Sequence, residues 1–198
     1  MWWIFAALLL LPTCFSMIGL PDIAVIMLSG ICGLAGCIMP RKLTGFHKIQ
    51  PHGIVSILLT AVAILVLSAL VTGAWKALLT WCEVKYPEKQ LLAEMISLFS
   101  GWERAGLFVS LCMITPVLEE FLFRRMIYPV WYKLHPETAF AGTAVLFSVV
   151  HGFLPGLPGL FILGCGFQYL YLRYRNLSAP VLAHALVNTI AFAVNCVR

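Results

Sequence analysis

The chain has 198 residues, of which 62% are hydrophobic and 11% charged, with a mean hydropathy of +0.97. Only helices and closed barrels satisfy their backbone hydrogen bonds in lipid, and the apolar runs are continuous rather than alternating, so this composition predicts a helical integral membrane protein. The formal net charge of +5 does not indicate nucleic-acid binding, because the basic residues lie between the apolar runs and form no contiguous patch.

The apolar runs predict an all-α, polytopic transmembrane bundle of about seven helices. Taken in chain order, the predicted spans cover residues 2–20, 22–39, 53–75, 105–133, 138–151, 157–172 and 178–197. Residues 82–104 form the longest polar segment, and we expect them to include a short surface helix.

The first span is expected to be retained rather than cleaved as a signal peptide, because no Lys or Arg precedes its apolar run. Lys and Arg concentrate in cytoplasmic loops, so the distribution of basic residues predicts the orientation. A cytoplasmic N-terminus places more of them inside than outside and is therefore favoured. The inner set is Arg41, Lys42, Lys48, Arg125, Lys133, Arg173 and Arg175, and the outer set is Lys85, Lys89, Arg104 and Arg198.

The fourth predicted span carries four ionisable residues within one short apolar stretch: Glu119, Glu120, Arg124 and Arg125. An Asp, Lys or Arg in the middle of a bilayer costs roughly 2.5–3.5 kcal/mol on an insertion scale, so such a cluster indicates internal pairing, a wet cavity or a function. One interpretation is structural, with both arginines anchoring the helix at the cytoplasmic headgroups. The other is that this cluster is the functional site.

The spacing predicts which of these groups pair. Glu120 and Arg124 are four residues apart and share a helix face, which favours a buried ion pair. Glu119 is rotated by about 100° from Glu120 on a helix of 3.6 residues per turn, so it points elsewhere and stays available for chemistry. Pro116, just upstream, lacks a backbone donor and is expected to distort the helix beside the acids.

Two later spans contain further polar residues. His151 ends the apolar run of the fifth span, and the last span carries His184 and Asn188 four residues apart on one face. A single histidine in a membrane helix is most simply explained as a hydrogen-bonded contact between helices. Together with Glu119 and the pair formed by Glu120 and Arg124, however, these residues are the residue types found in a hydrolytic site.

These residues resemble the three signature motifs of the CPBP (ABI) family of intramembrane proteases. The motifs are Glu119-Glu120-x-x-x-Arg124, Phe147-x-x-x-His151 and His184-x-x-x-Asn188, in this order on successive apolar helices. That family includes CAAX-prenyl endopeptidases, bacteriocin-processing and self-immunity proteins, and myxosortase-like members. The resemblance covers about residues 105–195, so we divide the chain into N-terminal helices with a polar loop, residues 1–104, and a catalytic helical core, residues 105–198.

The resemblance implies peptide-bond hydrolysis by a glutamate-type intramembrane endopeptidase, and we expect no cofactor because Asn188 is a poor zinc ligand but a good oxyanion donor. Glu119 and His151 would bind and activate a water, with Glu119 as the general base. His184 and Asn188 would form the oxyanion hole. Glu120 and Arg124 would hold the helix in place and support the catalytic residues.

Two alternatives remain open at this stage. Glu119, His151 and His184 are also the types of ligand that a catalytic zinc site uses, although no HExxH motif is present. A non-hydrolytic membrane protein, such as an immunity factor, a chaperone or an ion-coupled carrier, would use the same buried polar cluster to bind rather than to cleave.

Helix lengths raise a question about depth. At 1.5 Å per residue, Glu119 lies about 9 Å above the inner face of a bilayer core of about 30 Å, and His151 lies about 10 Å too far outward to meet it. We therefore predict that the fifth helix starts deep or that residues 152–159 dip back into the protein. A separation well beyond 8 Å between the two side chains would argue against a shared site.

The predicted partners are the lipid bilayer and a membrane-tethered protein or peptide substrate. The compact chain is closest to bacterial members of the family, so we expect a bacterial cytoplasmic (inner) membrane protein with a role in C-terminal processing or sorting.

Overall fold

The computed structural model describes residues 49–86 and 91–197, so the predicted spans at residues 2–20 and 22–39 lie outside the described residues. Within the described ranges every regular element is helical, which confirms the predicted all-α class. The helices are α1, Pro51–Trp81; α2, Leu91–Leu98; α3, Gly101–Leu134; α4, Pro136–Val150; α5, Leu157–Tyr174; and α6, Ser178–Cys196. The short surface helix expected in the polar segment is α2.

Within residues 49–86 and 91–197, three helices are long and apolar enough to cross a membrane, namely α1, α3 and α6. The protein is an integral membrane protein. The sequence also predicts α4 and α5 as spans, and both are present as helices, but neither belongs to this set of three. With 15 residues, α4 is about 22 Å long, shorter than a bilayer core of about 30 Å.

Two π-helical stretches interrupt α3, at Ser110–Ile114 and Phe121–Ile127. Pro116 follows the first of them and has no N–H to donate to the preceding turn. The N–H of Thr115 bonds instead to the carbonyl oxygen of Ser110, five residues back. The predicted irregularity beside the two acids is therefore present as a wider helical turn, a feature found frequently at functional sites.

A tight hairpin between α3 and α4 answers the question of depth. His135 alone separates the two helices, and Glu119 and His151 lie 16 residues before and after it. In an antiparallel pair, residues at equal distances from the turn lie at the same level. The sequence-based estimate placed His151 too far outward because it assumed that α4 starts at the inner face of the bilayer core. In the structure, α3 continues about 22 Å beyond Glu119 to Leu134 before α4 begins.

Helix α5 packs against α1, α4 and α6. The buried side chains between these helices form the main core of the protein, which consists of Ile57, Ala61, Phe123, Phe147, Phe167, Leu170, Ala179, Ala183 and Val187. A second, small core gathers Ile96, Leu107, Cys112 and Phe192 where α2 meets α3 and α6.

Gly159 is a point of close approach between α5 and α1. A Cβ at this position would overlap the hydroxyl of Thr72 and lie 2.9 Å from the backbone oxygen of Ser68. The hydroxyl of Ser68 donates a 2.9 Å hydrogen bond to the carbonyl of Gly159. We expect Gly159→Ala to lower the free energy of unfolding by about 1–3 kcal/mol, the usual cost of overpacking a core.

Gly106→Ala is the matched control for this substitution. Nothing lies within 4 Å of a Cβ at Gly106 in α3, and alanine is favoured over glycine inside a helix by roughly 0.5–1 kcal/mol. Thermal unfolding in one detergent is expected to show a lower Tm for Gly159→Ala and an unchanged or higher Tm for Gly106→Ala. Equal Tm values for the two variants would contradict the close approach.

Candidate active site

The carboxylate of Glu119 faces two histidines from two other helices. Its Oε2 lies 3.9 Å from Nε2 of His151 and 3.8 Å from Nε2 of His184. Both separations exceed the length of a hydrogen bond, so the rings face the carboxylate without bonding to it. Glu119 Oε2 is buried and has no hydrogen-bond partner among the described residues.

These three side chains and Asn188 line one cavity of about 380 Å³. The remaining lining residues are Leu111, Thr115, Phe147, Leu160, Leu163, Phe167, Ala191 and Phe192. The four residues predicted to carry the chemistry therefore come together, although Asn188 is 69 positions after Glu119 in the chain. The complete burial of Arg124 argues against the structural interpretation, in which both arginines anchor the helix at the headgroups.

His151 caps the C-terminal end of α4. Its Nδ1 lies 2.7 Å from the carbonyl oxygen of Phe147. A carbonyl can only accept, so Nδ1 carries the hydrogen and Nε2 is the nitrogen that faces Glu119. The ring is thus held in one tautomer and one direction by its own helix.

His184 is held on both sides. Its Nδ1 lies 3.0 Å from Oε1 of Glu120, and its ring stacks on Phe167 with centroids 4.6 Å apart and planes inclined by 16°. The ring of Phe147 meets it edge-on at 5.9 Å. The side chain is only 6% exposed, so its orientation is fixed by packing and by the carboxylate behind it.

The predicted pair between Glu120 and Arg124 is present and completely buried, with Nε 2.9 Å from Oε2. Arg124 also donates to the side-chain oxygen of Gln168 at 3.3 Å and to the carbonyl of Gly164 at 3.2 Å. A buried ion pair is tolerated when further hydrogen bonds satisfy both partners. Here α5 supplies the additional acceptors for Arg124. Glu120, which is held by Arg124, in turn fixes the ring of His184.

Asn188 closes a gap in the backbone of α3. The carbonyl of Leu111 receives no hydrogen bond from the residues four and five positions later, because the N–H of Thr115 bonds to Ser110 and Pro116 has no N–H. The Nδ2 of Asn188 donates to that carbonyl at 2.8 Å. A side-chain amide has two N–H bonds, so this contact positions Asn188 and leaves it a second donor.

Sequence reasoning did not identify Gln168 or Phe167 as parts of the site. Gln168 had a recognisable signal, since an amide in an apolar membrane helix needs a partner. Phe167 had none, because an aromatic residue in such a helix is indistinguishable from ordinary core. Gln168 is fully buried, and its Nε2 has no hydrogen-bond partner among the described residues.

The groups around Glu119 lie slightly farther apart than the ligands of a bound zinc ion. Ligands about 2.1 Å from a tetrahedral zinc ion lie about 3.4 Å from one another, shorter than the 3.8 and 3.9 Å that separate Glu119 from the two histidines. Across the described residues, no group of three His, Cys, Asp or Glu side chains has the arrangement of a metal site.

The model of the type II CAAX prenyl endopeptidase Rce1-like family matches residues 101–190. Residues 101–190 are thus similar in sequence to this family. The match confirms the predicted resemblance to the CPBP family. The Rce1-like segment begins with α3 and contains all six predicted site residues: Glu119, Glu120, Arg124, His151, His184 and Asn188.

Two curated bacterial proteins are similar in sequence to part of this chain. "Putative membrane peptidase YdiL" of Bacillus subtilis (strain 168) is 34% identical over 79 residues, which are 39% of this chain and 32% of that protein. "UPF0177 protein YaiF" of Lactococcus lactis subsp. lactis (strain IL1403) is 34% identical over 88 residues, 44% of this chain and 39% of that protein. The matches thus span about a third of the length of these relatives. The search of solved structures gave no significant match.

Proposed function

We propose that this protein is a glutamate-type intramembrane endopeptidase that hydrolyses a peptide bond of a membrane-tethered protein or peptide. The observation that carries the proposal is the position of Glu119, whose carboxylate faces two histidines in a cavity between membrane helices. The Rce1-like match and the printed name of the Bacillus relative support a membrane peptidase. The proposed catalytic roles are those that the family resemblance implies, and the geometry is compatible with them.

In this proposal Glu119 is the general base. It removes a proton from a water molecule, whose oxygen attacks the carbonyl carbon of the scissile peptide bond. His151 Nε2, directed into the same space, orients that water. When the tetrahedral intermediate collapses, the carbon–nitrogen bond breaks and the proton held by Glu119 passes to the leaving amine.

His184 and Asn188 stabilise the negative charge that develops on the carbonyl oxygen. The carboxylate of Glu120, paired with Arg124, accepts the Nδ1 hydrogen of His184. In this role the ring carries a hydrogen on each nitrogen, with Nδ1–H donating to Glu120 and Nε2–H donating to the oxyanion. The second N–H of Asn188 is the other donor, and each such donor is typically worth about 10²–10³-fold in kcat.

The reaction is proposed to be metal-free, because Asn188, which lines the cavity with Glu119 and the two histidines, is a poor zinc ligand but a good donor to an oxyanion. We expect incubation of the purified protein with a zinc chelator, followed by its removal, to leave the cleavage rate unchanged. The rate is measured with and without added zinc. Loss of cleavage on chelation and recovery with zinc would instead establish Glu119, His151 and His184 as metal ligands.

The proposed biological role is C-terminal processing or sorting of a membrane-anchored protein in the bacterial cytoplasmic (inner) membrane, with the N-terminus in the cytoplasm. The bilayer and the anchored substrate are the proposed partners, and no nucleic acid is involved. The bacterial relatives and the distribution of basic residues along the chain support this placement.

Comparative mass spectrometry of protein termini tests the function. Cells that express the protein are compared with cells that express His184→Ala at equal membrane abundance. We expect a small set of membrane proteins to carry a new terminus only with the unsubstituted chain. If the phenotype of the protein survives both His184→Ala and Glu119→Ala, it acts as a non-hydrolytic immunity factor or chaperone.

A further inference from the structure

On α3 and α6 the cavity extends from the site in one direction only. On α3 its lining residues, Leu111 and Thr115, precede Glu119, and on α6 they follow His184 as far as Phe192. Because Asn188 bonds to Leu111, the first half of α3 lies beside the second half of α6. Eight residues on each helix correspond to a cavity about 12 Å deep.

The opposite side of the site is filled with protein. After Glu119, α3 buries Glu120, Phe123 and Arg124, and before His184, α6 buries Ala179 and Ala183. Phe123, Ala179 and Ala183 belong to the main core. A peptide approaching from that side would have to displace both the main core and a buried ion pair.

The end of the cavity farthest from Glu119 on α3 and α6 lies towards α2. This helix contacts α6, and its Ile96 packs in the small core with Phe192, which also lines the cavity. The turn between α4 and α5 lies beside the cavity, because His151, the residue after α4, and Leu160, near the start of α5, both line it. Trp75, near the end of α1, donates a hydrogen bond to the carbonyl of Leu154 in that turn.

We propose that the substrate reaches Glu119 from the α2 side of the membrane, through this cavity. The inference rests on the proposed function and adds to it the direction of entry and the chemistry of the entering segment. Leucine and phenylalanine dominate the lining beyond the site residues, so the peptide segment that occupies the cavity carries apolar side chains. With a cytoplasmic N-terminus, the α2 side is the outer face.

Cysteine labelling from one side of the membrane tests the direction. Cys82, just after α1, and Cys196, at the end of α6, are both exposed and report the α2 side. Leu134→Cys, at an exposed position at the far end of α3, reports the other side. The test residue is Thr115→Cys in the otherwise full-length protein. A membrane-impermeant thiol reagent is added to one side of sealed vesicles, and modification of each cysteine is read by mass spectrometry of its peptide.

We expect Thr115→Cys to be modified from the side that modifies Cys82, and to lose that modification when an apolar peptide is present. Modification from the side of Leu134→Cys, or from neither side, would overturn the proposal. Labelling does not require hydrolysis, so a protein that shows this pattern without any cleavage refutes the proposed function and leaves the direction of access standing. Activity without this pattern refutes the direction of access alone.

Discussion

Glu119→Gln is expected to lower the cleavage rate by about 10²–10⁴-fold, the usual contribution of a positioned general base. Glutamine has nearly the same size, but its amide cannot take a proton from water. Oε2 of Glu119 has no hydrogen-bond partner in the described part of the protein, so the substitution removes no hydrogen bond at that atom. The loss is therefore expected in kcat rather than in KM, measured on a substrate found by the terminus comparison.

Glu137→Gln is the matched control for the loss of a carboxylate. Glu137 lies in the first turn of α4 with a side chain that is 68% exposed, far along the helix from the cavity, so its cleavage rate should be unchanged. Thermal unfolding of both variants shows whether the protein remains folded. A folded Glu119→Gln protein that cleaves at the rate of Glu137→Gln would show that the base is another residue.

Arg124→Met is expected to reduce the free energy of unfolding by about 3–5 kcal/mol, the cost of leaving one partner of a buried ion pair alone. Arg124 is fully buried and connects Glu120 on α3 with Gln168 and Gly164 on α5. Methionine fills most of the space but leaves the carboxylate of Glu120 without its guanidinium. The measurement is reversible unfolding in mixed detergent micelles.

A substitution of Arg125, the residue next to Arg124, provides the control. Arg125 is exposed, and surface substitutions usually change stability by less than about 0.5 kcal/mol, so Arg125→Met should unfold like the unsubstituted protein. The double variant Glu120→Leu with Arg124→Met is expected to recover part of the stability, because neither charge is then left unpaired. Equal stability of Arg124→Met and Arg125→Met would show that the ion pair does not hold α3 against α5.

The local features of this protein follow from short-range patterns. The five described spans match helices whose ends lie within a few residues of the predicted limits, apart from the C-terminal extension of α1 and the earlier start of α3. The pair between Glu120 and Arg124 follows from a spacing of four on one helix. Each of these predictions depends only on residues close together in the chain.

The contacts between helices could not be predicted in the same way. Glu120 bonds to His184, 64 residues away, and Arg124 bonds to Gln168, 44 residues away. Both contacts depend on how α5 and α6 pack around α3. The depth estimate for His151 failed for the same reason, since it counted each helix separately and not the hairpin that places His151 level with Glu119.

Composition and the order of polar residues along the apolar runs are enough to establish a helical membrane protein with acids, histidines and an asparagine on separate spans. They leave open whether those side chains meet. Packing settles that question. The α3–α4 hairpin and the close contact of α5 with its neighbours direct four side chains into one cavity, namely Glu119, His151, His184 and Asn188. The same packing fills the other side of the site with core residues. A one-dimensional pattern records which face of a helix is polar, whereas the partner of that face depends on contacts between residues far apart in the chain.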